Sequence, residues 1–92
     1  MIGNIRHRGL RLLYERGDRS GIRQDVVQRV ERLLSFLDQA EEPQDMNVPG
    51  CGLHSLTGDL RGYWSVKVSR NYRIIFRFGG QDVVDVDLVD YH

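Results

Sequence analysis

The clearest hydrophobic pattern in the chain is that of an amphipathic helix. Apolar residues recur at the spacing of one helical face: Val26, Val27, Val30, Leu33, Leu34 and Leu37. A shorter helix is predicted for residues 9–16, where Leu10, Leu13 and Tyr14 share one face. Gly17 follows directly and is a favourable residue for ending that helix. Both helices therefore need an apolar surface to cover.

After Gly50 the hydrophobic period changes to two, which predicts β-strands. The predicted strands cover residues 51–56, 62–68, 72–78 and 83–88. Residues 1–7, with apolar Ile2 and Ile5, form a further candidate strand. The last three strands are joined by connections so short that they must form an antiparallel meander. The pattern as a whole predicts an α+β fold in which two N-terminal helices pack on a mainly antiparallel sheet.

The alternation also predicts the strand register, because a slip of one residue would move the apolar side chains into water. Matching the apolar faces pairs Val66 with Ile74 around a loop at residues 69–71. In the second hairpin, matching the faces pairs Ile74 with Val86 around residues 79–81. One face of the sheet is then apolar and accepts the helices, and the other face is polar.

The polar face carries charged residues in a definite order. In the predicted register Lys67 lies opposite Arg73, and Arg73 lies opposite Asp87. Arg73 with Asp87 and Arg77 with Asp85 are then candidate ion pairs. A solvated face with cross-strand ion pairs explains this pattern. An anion site in which Arg73 and Lys67 hold a phosphate explains it as well.

The composition fits one small globular domain over residues 1–92. Apolar residues make up 40% of the chain and charged residues 28%. No apolar run is long enough for a membrane span or a signal peptide, so we expect a cytoplasmic protein. The single cysteine, Cys51, excludes an internal disulfide. The 13 basic and 13 acidic residues give a net charge of zero, which argues against a generally basic nucleic-acid coat.

Several residues could move protons or bind an anion: His54, Arg73, Asp90, Tyr91 and His92. Cleavage of RNA by its own 2′-hydroxyl needs a base, a cation for the developing charge and an acid for the leaving 5′-oxygen. Imidazole can fill either proton-transfer role and arginine can supply the cation, while an aromatic ring can stack on a base. A partly buried structural histidine at position 54 and a polar, frayed end of the chain are the simpler alternatives. The spacing matches no metal-ligand motif.

Three stretches of the chain resemble the HigB branch of the RelE/ParE toxin superfamily: "IRHRGLRLLYERG", "LHSLTGDLRGYWSVKVSRNYRIIFRF" and "DYH". The resemblance covers essentially the whole chain and implies the RelE-like microbial RNase fold. It further implies a toxin of a type II toxin–antitoxin system that cuts mRNA on the ribosome and so inhibits translation. Such an mRNA interferase uses no metal or other cofactor. Its partner is a helix-turn-helix antitoxin of the HigA kind, through which it reaches operator DNA indirectly.

The resemblance also suggests roles for individual residues. His54 matches the family's active-site histidine, and Arg73 matches the arginine that holds the scissile phosphate. The terminal Asp90, Tyr91 and His92 match the acid, aromatic and histidine assigned to catalysis and substrate contact. Further candidates for RNA binding are Arg61, Lys67 and Arg70.

Two features favour a different interpretation. Thr57 stands where the family motif has a lysine, and the net charge is zero where a ribosome-binding toxin is expected to be basic. Both would suit a binding module without nuclease activity. One form of it is a gyrase inhibitor like the ParE relatives, and another is an attenuated toxin that acts mainly as a corepressor with its antitoxin.

Overall fold

A computed structural model describes residues 1–90, and within them two helices pack on one face of a four-stranded antiparallel sheet. The elements are helices α1 (Arg8–Arg16) and α2 (Val27–Gln39), and strands β1 (His54–Ser55), β2 (Trp64–Lys67), β3 (Tyr72–Gly79) and β4 (Asp82–Asp90). Each strand pairs with the next in chain order, which confirms the predicted meander and the α+β class. The predicted strand at residues 51–56 is reduced to the two residues of β1. No helix among residues 1–90 has the length and apolar character needed to cross a membrane.

Local capping sets the ends of α1. The Nδ1 atom of His7 accepts a hydrogen bond from the Leu10 backbone N–H at 3.0 Å, which satisfies a donor of the first turn. At the other end Gly17 has a φ of 70°, and its N–H donates to the Leu13 carbonyl at 3.0 Å. Glycine adopts this left-handed conformation without a Cβ penalty. The predicted helix and its stop are therefore confirmed.

The core lies between the helices and the inner face of the sheet. Helix α2 buries the apolar face that its spacing predicts, and Val30 and Leu37 have no exposed surface. Ile74 and Phe76 of β3 are equally buried beneath the helices. Burying a side chain of this size contributes roughly 1.5–3 kcal/mol, so this face holds the fold together.

The N-terminal segment runs parallel to the outer edge of β4. Bridges join Ile2 to Val83 and Ile5 to Val86, and the Gly3 N–H donates to the Val83 carbonyl at 2.7 Å. The candidate strand at residues 1–7 therefore pairs with the sheet, although it makes two separate bridges and not a continuous ladder. This parallel edge makes the sheet mainly, and not wholly, antiparallel.

A carboxylate on α2 ties this segment to both helices. Asp38 accepts hydrogen bonds from the Tyr14 hydroxyl at 2.6 Å and from the Ile2 backbone N–H at 3.1 Å. The bond to Asp38, aided by burial, raises the pKa of Tyr14 to about 12. The same hydroxyl and the Ile2 N–H hold the pKa of Asp38 below its usual value.

The register of the first hairpin is the predicted one. Trp64 pairs with Phe76, and Val66 pairs with Ile74. The Val68 N–H donates to the Tyr72 carbonyl at 3.0 Å, so the loop lies at residues 69–71 as expected. A slip of one residue would turn Val66 to the outer face, and no bulge interrupts this ladder.

The register of the second hairpin differs from the prediction. Ile74 pairs with Leu88 and not with Val86, and the loop contains only Gly80 and Gln81 between the paired Gly79 and Asp82. The cause is a β-bulge in β4 opposite the stretch between Ile75 and Arg77. As a result Arg73 lies opposite Val89, and the predicted direct pairing of Arg73 with Asp87 is wrong.

Candidate active site

Two cross-strand rows on the outer face of the sheet, away from the helices, contain most of the predicted site residues. One row runs through His54, Ser65, Ile75 and Asp87. The next row on the same face runs through Lys67, Arg73 and Val89. Residues two positions apart along a strand share a face and lie about 6.5 Å apart, so these rows are neighbours.

His54 occupies an edge of this surface and is exposed. It belongs to β1, where it pairs with Ser65, and the Ser65 side chain beside it is buried. The interpretation of His54 as a partly buried structural histidine is therefore wrong. An exposed imidazole next to a sheet face can reach a ligand bound on that face.

Arg73 and Lys67 bring two cations together in the neighbouring row. They pair directly across β2 and β3, with Lys67 exposed and Arg73 half-buried. Like charges placed opposite each other cost roughly 0.2–1 kcal/mol, and an anion bound between them removes that cost. Asp87 pairs with Ile75 and is only a diagonal neighbour of Arg73, roughly 7–8 Å away. This arrangement fits a phosphate site.

Arg73 and His54 lie on the same face but two strands apart. Neighbouring strands are about 4.8 Å apart, and the two residues are also offset by two positions along the strands, so their backbones are separated by roughly 12 Å. Side chains as long as arginine and histidine can approach a shared ligand from that distance. The geometry suits a substrate of nucleotide size lying across the strands.

Asp90 ends β4 and is exposed, opposite Tyr72. Directly paired residues share a face, so Asp90 lies on the helix side while Arg73, next to Tyr72, lies on the outer side. The structure thus brings Asp90 to the same end of the sheet as Arg73, but not onto the same face. Tyr91 and His92 lie outside the described residues.

The two remaining candidates are exposed loop arginines in different places. Arg70 lies in the loop between β2 and β3, at the end of the sheet where Lys67 and Arg73 pair. Arg61 follows a single turn of 3-10 helix at Gly58–Leu60, before the start of β2. The structure therefore groups Arg70, but not Arg61, with the paired cations.

Arg77 continues the outer face beyond these rows and is paired. Its Nε atom donates to the Asp85 carboxylate at 2.6 Å, which confirms the predicted ion pair. This bond raises the pKa of Arg77. Asp85 also bonds Asn4, and that contact is the first cause of its lowered pKa. Sequence patterns could not reveal the role of Asn4, because the two residues are 81 positions apart.

A groove of about 620 Å³ lies away from these residues, between α2 and the loop before β1. Its lining includes Leu33, Phe36 and Cys51 together with Arg29 and Arg32. None of the predicted site residues contributes to it.

Two helices on one face of an antiparallel sheet form the architecture expected of a RelE-like toxin. The comparisons agree: residues 3–92 match the family model described as the RelE-like toxin of type II toxin–antitoxin system HigB. The chain is 40% identical over 92 residues to Endoribonuclease HigB of Proteus vulgaris, with 100% of both chains covered. It is 38% identical over 48 residues to Toxin HigB-1 of Vibrio cholerae serotype O1, covering 51% of this chain and 50% of that protein.

The chain therefore belongs to the HigB family of RelE-like toxins. A toxin of a type II toxin–antitoxin system has an antitoxin as its partner.

Proposed function

We propose that this toxin is an endoribonuclease that cuts mRNA on translating ribosomes and thereby inhibits translation. The observation that carries the proposal is the full-length match, at 40% identity, to a protein named an endoribonuclease. The outer face supports it chemically, because an exposed histidine and two directly paired cations lie in adjacent rows. The antitoxin is proposed to be a helix-turn-helix protein that links the toxin to operator DNA.

In the proposed reaction the 2′-hydroxyl of the RNA attacks the adjacent phosphorus. A base removes the hydroxyl proton, a 2′,3′-cyclic phosphate forms, and an acid protonates the leaving 5′-oxygen. His54 and His92 are the proposed proton-transfer groups, and each such group contributes typically 10²–10⁴-fold to the rate. The order of acid and base is left open between them.

The cations act on the charge that develops at phosphorus. Arg73 is proposed to hold the scissile phosphate, with Lys67 opposite it adding positive potential. Arg70 and Arg61 are proposed to contact flanking RNA. Asp90 is proposed to orient a catalytic group, and Tyr91 to stack on a base.

Mapping of RNA 5′ ends after induction tests the function directly. Wild-type protein is expected to produce new 5′ ends within translated messages and to stop growth. The His92→Ala and His54→Ala variants, produced at equal levels, are expected to lose most of those ends. Variants as toxic as the wild type would show that the assigned roles are wrong.

A non-nuclease binding module is the second candidate, favoured by Thr57 and by the zero net charge. Thr57 is exposed next to the turn after β1, so no lysine is available there to contact RNA. A gyrase inhibitor would damage DNA and leave mRNA ends unchanged. An attenuated toxin would change neither, yet would still bind operator DNA together with its antitoxin.

A further inference from the structure

The β-bulge in β4 has an unusual backbone at its centre. Among residues 1–90, Asp85 is the only residue other than glycine with a positive φ, at 52°. Asparagine and aspartate tolerate this region better than most residues, whereas β-branched residues rarely adopt it. A bulge also leaves one residue without ladder partners, so its polar groups need others.

Two side chains supply those partners. The Asn4 Oδ1 atom accepts the Asp85 backbone N–H at 3.0 Å, and the Asn4 Nδ2 atom donates to the Asp85 carboxylate at 3.0 Å. Arg77 binds the second carboxylate oxygen at 2.6 Å. Asn4 is itself held beside β4, because the flanking Gly3 and Arg6 N–H groups donate to Val83 and Val86 carbonyls, each at 2.7 Å. The bulge is thus fastened from the N-terminal segment and from β3.

These contacts matter because β4 has a second possible register. The regular alternation of β4 pairs Ile74 with Val86, whereas the observed pairing is with Leu88. These registers differ by two residues in this part of the strand, so Val86 and Leu88 face the core in both. Hydrophobic burial at Val86 and Leu88 therefore does not distinguish them. In the competing register, which has no bulge, Asp90 would lie opposite Arg70, about 6.6 Å from its observed place opposite Tyr72.

We propose that Asn4, Asp85 and Arg77 form a register lock, which selects the bulged pairing and so holds the end of β4 beside Arg73. They are positioning residues and do not touch the substrate. The consequence for catalysis rests on the proposed function, because it assumes that residues at the end of β4 act in RNA cleavage. The consequence for register does not.

The register is tested by NMR, with cross-strand backbone NOEs between Ile74 and Leu88 for the bulged pairing and between Ile74 and Val86 for the slipped one. Asp85→Val removes the carboxylate contacts with Asn4 and Arg77 and disfavours the positive φ, and is expected to populate the slipped register. Asn4→Ala removes one fastening without altering backbone preference and is expected to do so to a smaller extent. Native NOEs alone in both variants would overturn the proposal. If Asp85→Val does not fold, Asn4→Ala decides the outcome.

Two control variants are expected to keep the native register. Asp85→Asn keeps an acceptor for Asn4 and tolerates the positive φ, so it is expected to keep the native register. Arg19→Ala removes another exposed ion pair, with Glu31 at 3.2 Å, far from β4 along the chain, and should change nothing. Slipped NOEs in Arg19→Ala would mean that the register responds to any lost ion pair, which would overturn the lock.

Cleavage is measured at a temperature at which every variant is folded. A displacement of several ångströms is expected to lower kcat of Asp85→Val roughly a hundredfold, with Asp85→Asn within about threefold of wild type. A slipped register with unchanged kcat would refute the positioning role. If wild-type protein cuts no RNA, the proposed function fails, and the NOE measurement still decides whether the lock exists.

Discussion

Along β3, Ile74 and Phe76 point towards the helices and have no exposed surface, whereas Arg73 and Arg77, which precede and follow them, lie on the outer face. The inner face is filled by apolar side chains from both helices. The outer face carries the exposed His54 and the directly paired Lys67 and Arg73. The difference separates the two tasks of the sheet, because one side provides the free energy of folding and the other is available for chemistry. Substitutions on the two faces should therefore affect different measurements.

The largest expected effect is that of Phe76→Ala on the inner face. Truncating a fully buried phenylalanine leaves a cavity and should lower the free energy of unfolding by about 3–5 kcal/mol in urea denaturation. Phe78→Ala is the matched control, because Phe78 is only half-buried and should cost less. The cleavage rate per folded molecule should stay near that of wild type for both variants. A lower rate in Phe76→Ala alone would show that the inner face also contributes to activity.

On the outer face, His54→Ala should produce the reverse pattern. Removing a proton-transfer group is expected to lower the cleavage rate about a hundredfold or more. The free energy of unfolding should change by less than roughly 0.5 kcal/mol, because an exposed side chain is removed. A wild-type cleavage rate of His54→Ala at equal protein concentration would show that His54 has no catalytic role.

Tyr14→Phe removes a hydrogen bond between the two helices on the inner side of the sheet. Loss of the hydrogen bond to Asp38 should cost about 1–2 kcal/mol of unfolding free energy at neutral pH. The pKa of Asp38 is lowered, so its contribution is full above the unfolded value of about 3.9 and is lost as the pH falls through the folded pKa. The pKa of Tyr14 is raised to about 12, so its contribution is full below 10.0 and is lost as the pH rises through about 12.

The difference between wild type and Tyr14→Phe should therefore be largest between about pH 4 and pH 10. Urea denaturation across that range measures it. A difference that does not shrink at either extreme would mean that the hydroxyl stabilises the fold by some other contact.

The smallest expected effect is that of Lys67→Ala. If Lys67 contacts a phosphate, its removal should reduce the slope of log affinity for RNA against log salt by about one. Stability should be unchanged or rise slightly, since the repulsion with Arg73 disappears. An unchanged salt slope would place Lys67 outside the RNA contact.

Local patterns predicted those parts of the fold that local chemistry determines. Helix α1 ends at Gly17 because glycine accepts the left-handed conformation, and the pairing of Val66 with Ile74 follows from matching the apolar faces of two strands whose ladder has no bulge. The exposure of His54 could not be predicted, since it depends on how little of residues 51–56 pairs with β2.

The predicted register of β4 was wrong because the observed one depends on a contact between residues far apart in the sequence. The bulge at Asp85 depends on Asn4, which is adjacent to it only after the N-terminal segment has paired with β4. Its consequence reaches the candidate site, because Val89 and not Asp87 lies opposite Arg73. The residue types of the site were nevertheless recognisable, since histidine, arginine and lysine on a polar face indicate anion chemistry wherever the register falls.

The separation of the two faces, and with it the proposed active site, is tested most directly by the cleavage rate of Arg73→Ala on ribosome-bound mRNA, normalised to the folded fraction. We predict a loss of at least about a hundredfold, as for removal of a group that stabilises developing charge, with unfolding free energy close to that of wild type. Wild-type cleavage together with a large loss of stability would show that Arg73 is part of the structural framework, and would contradict the account.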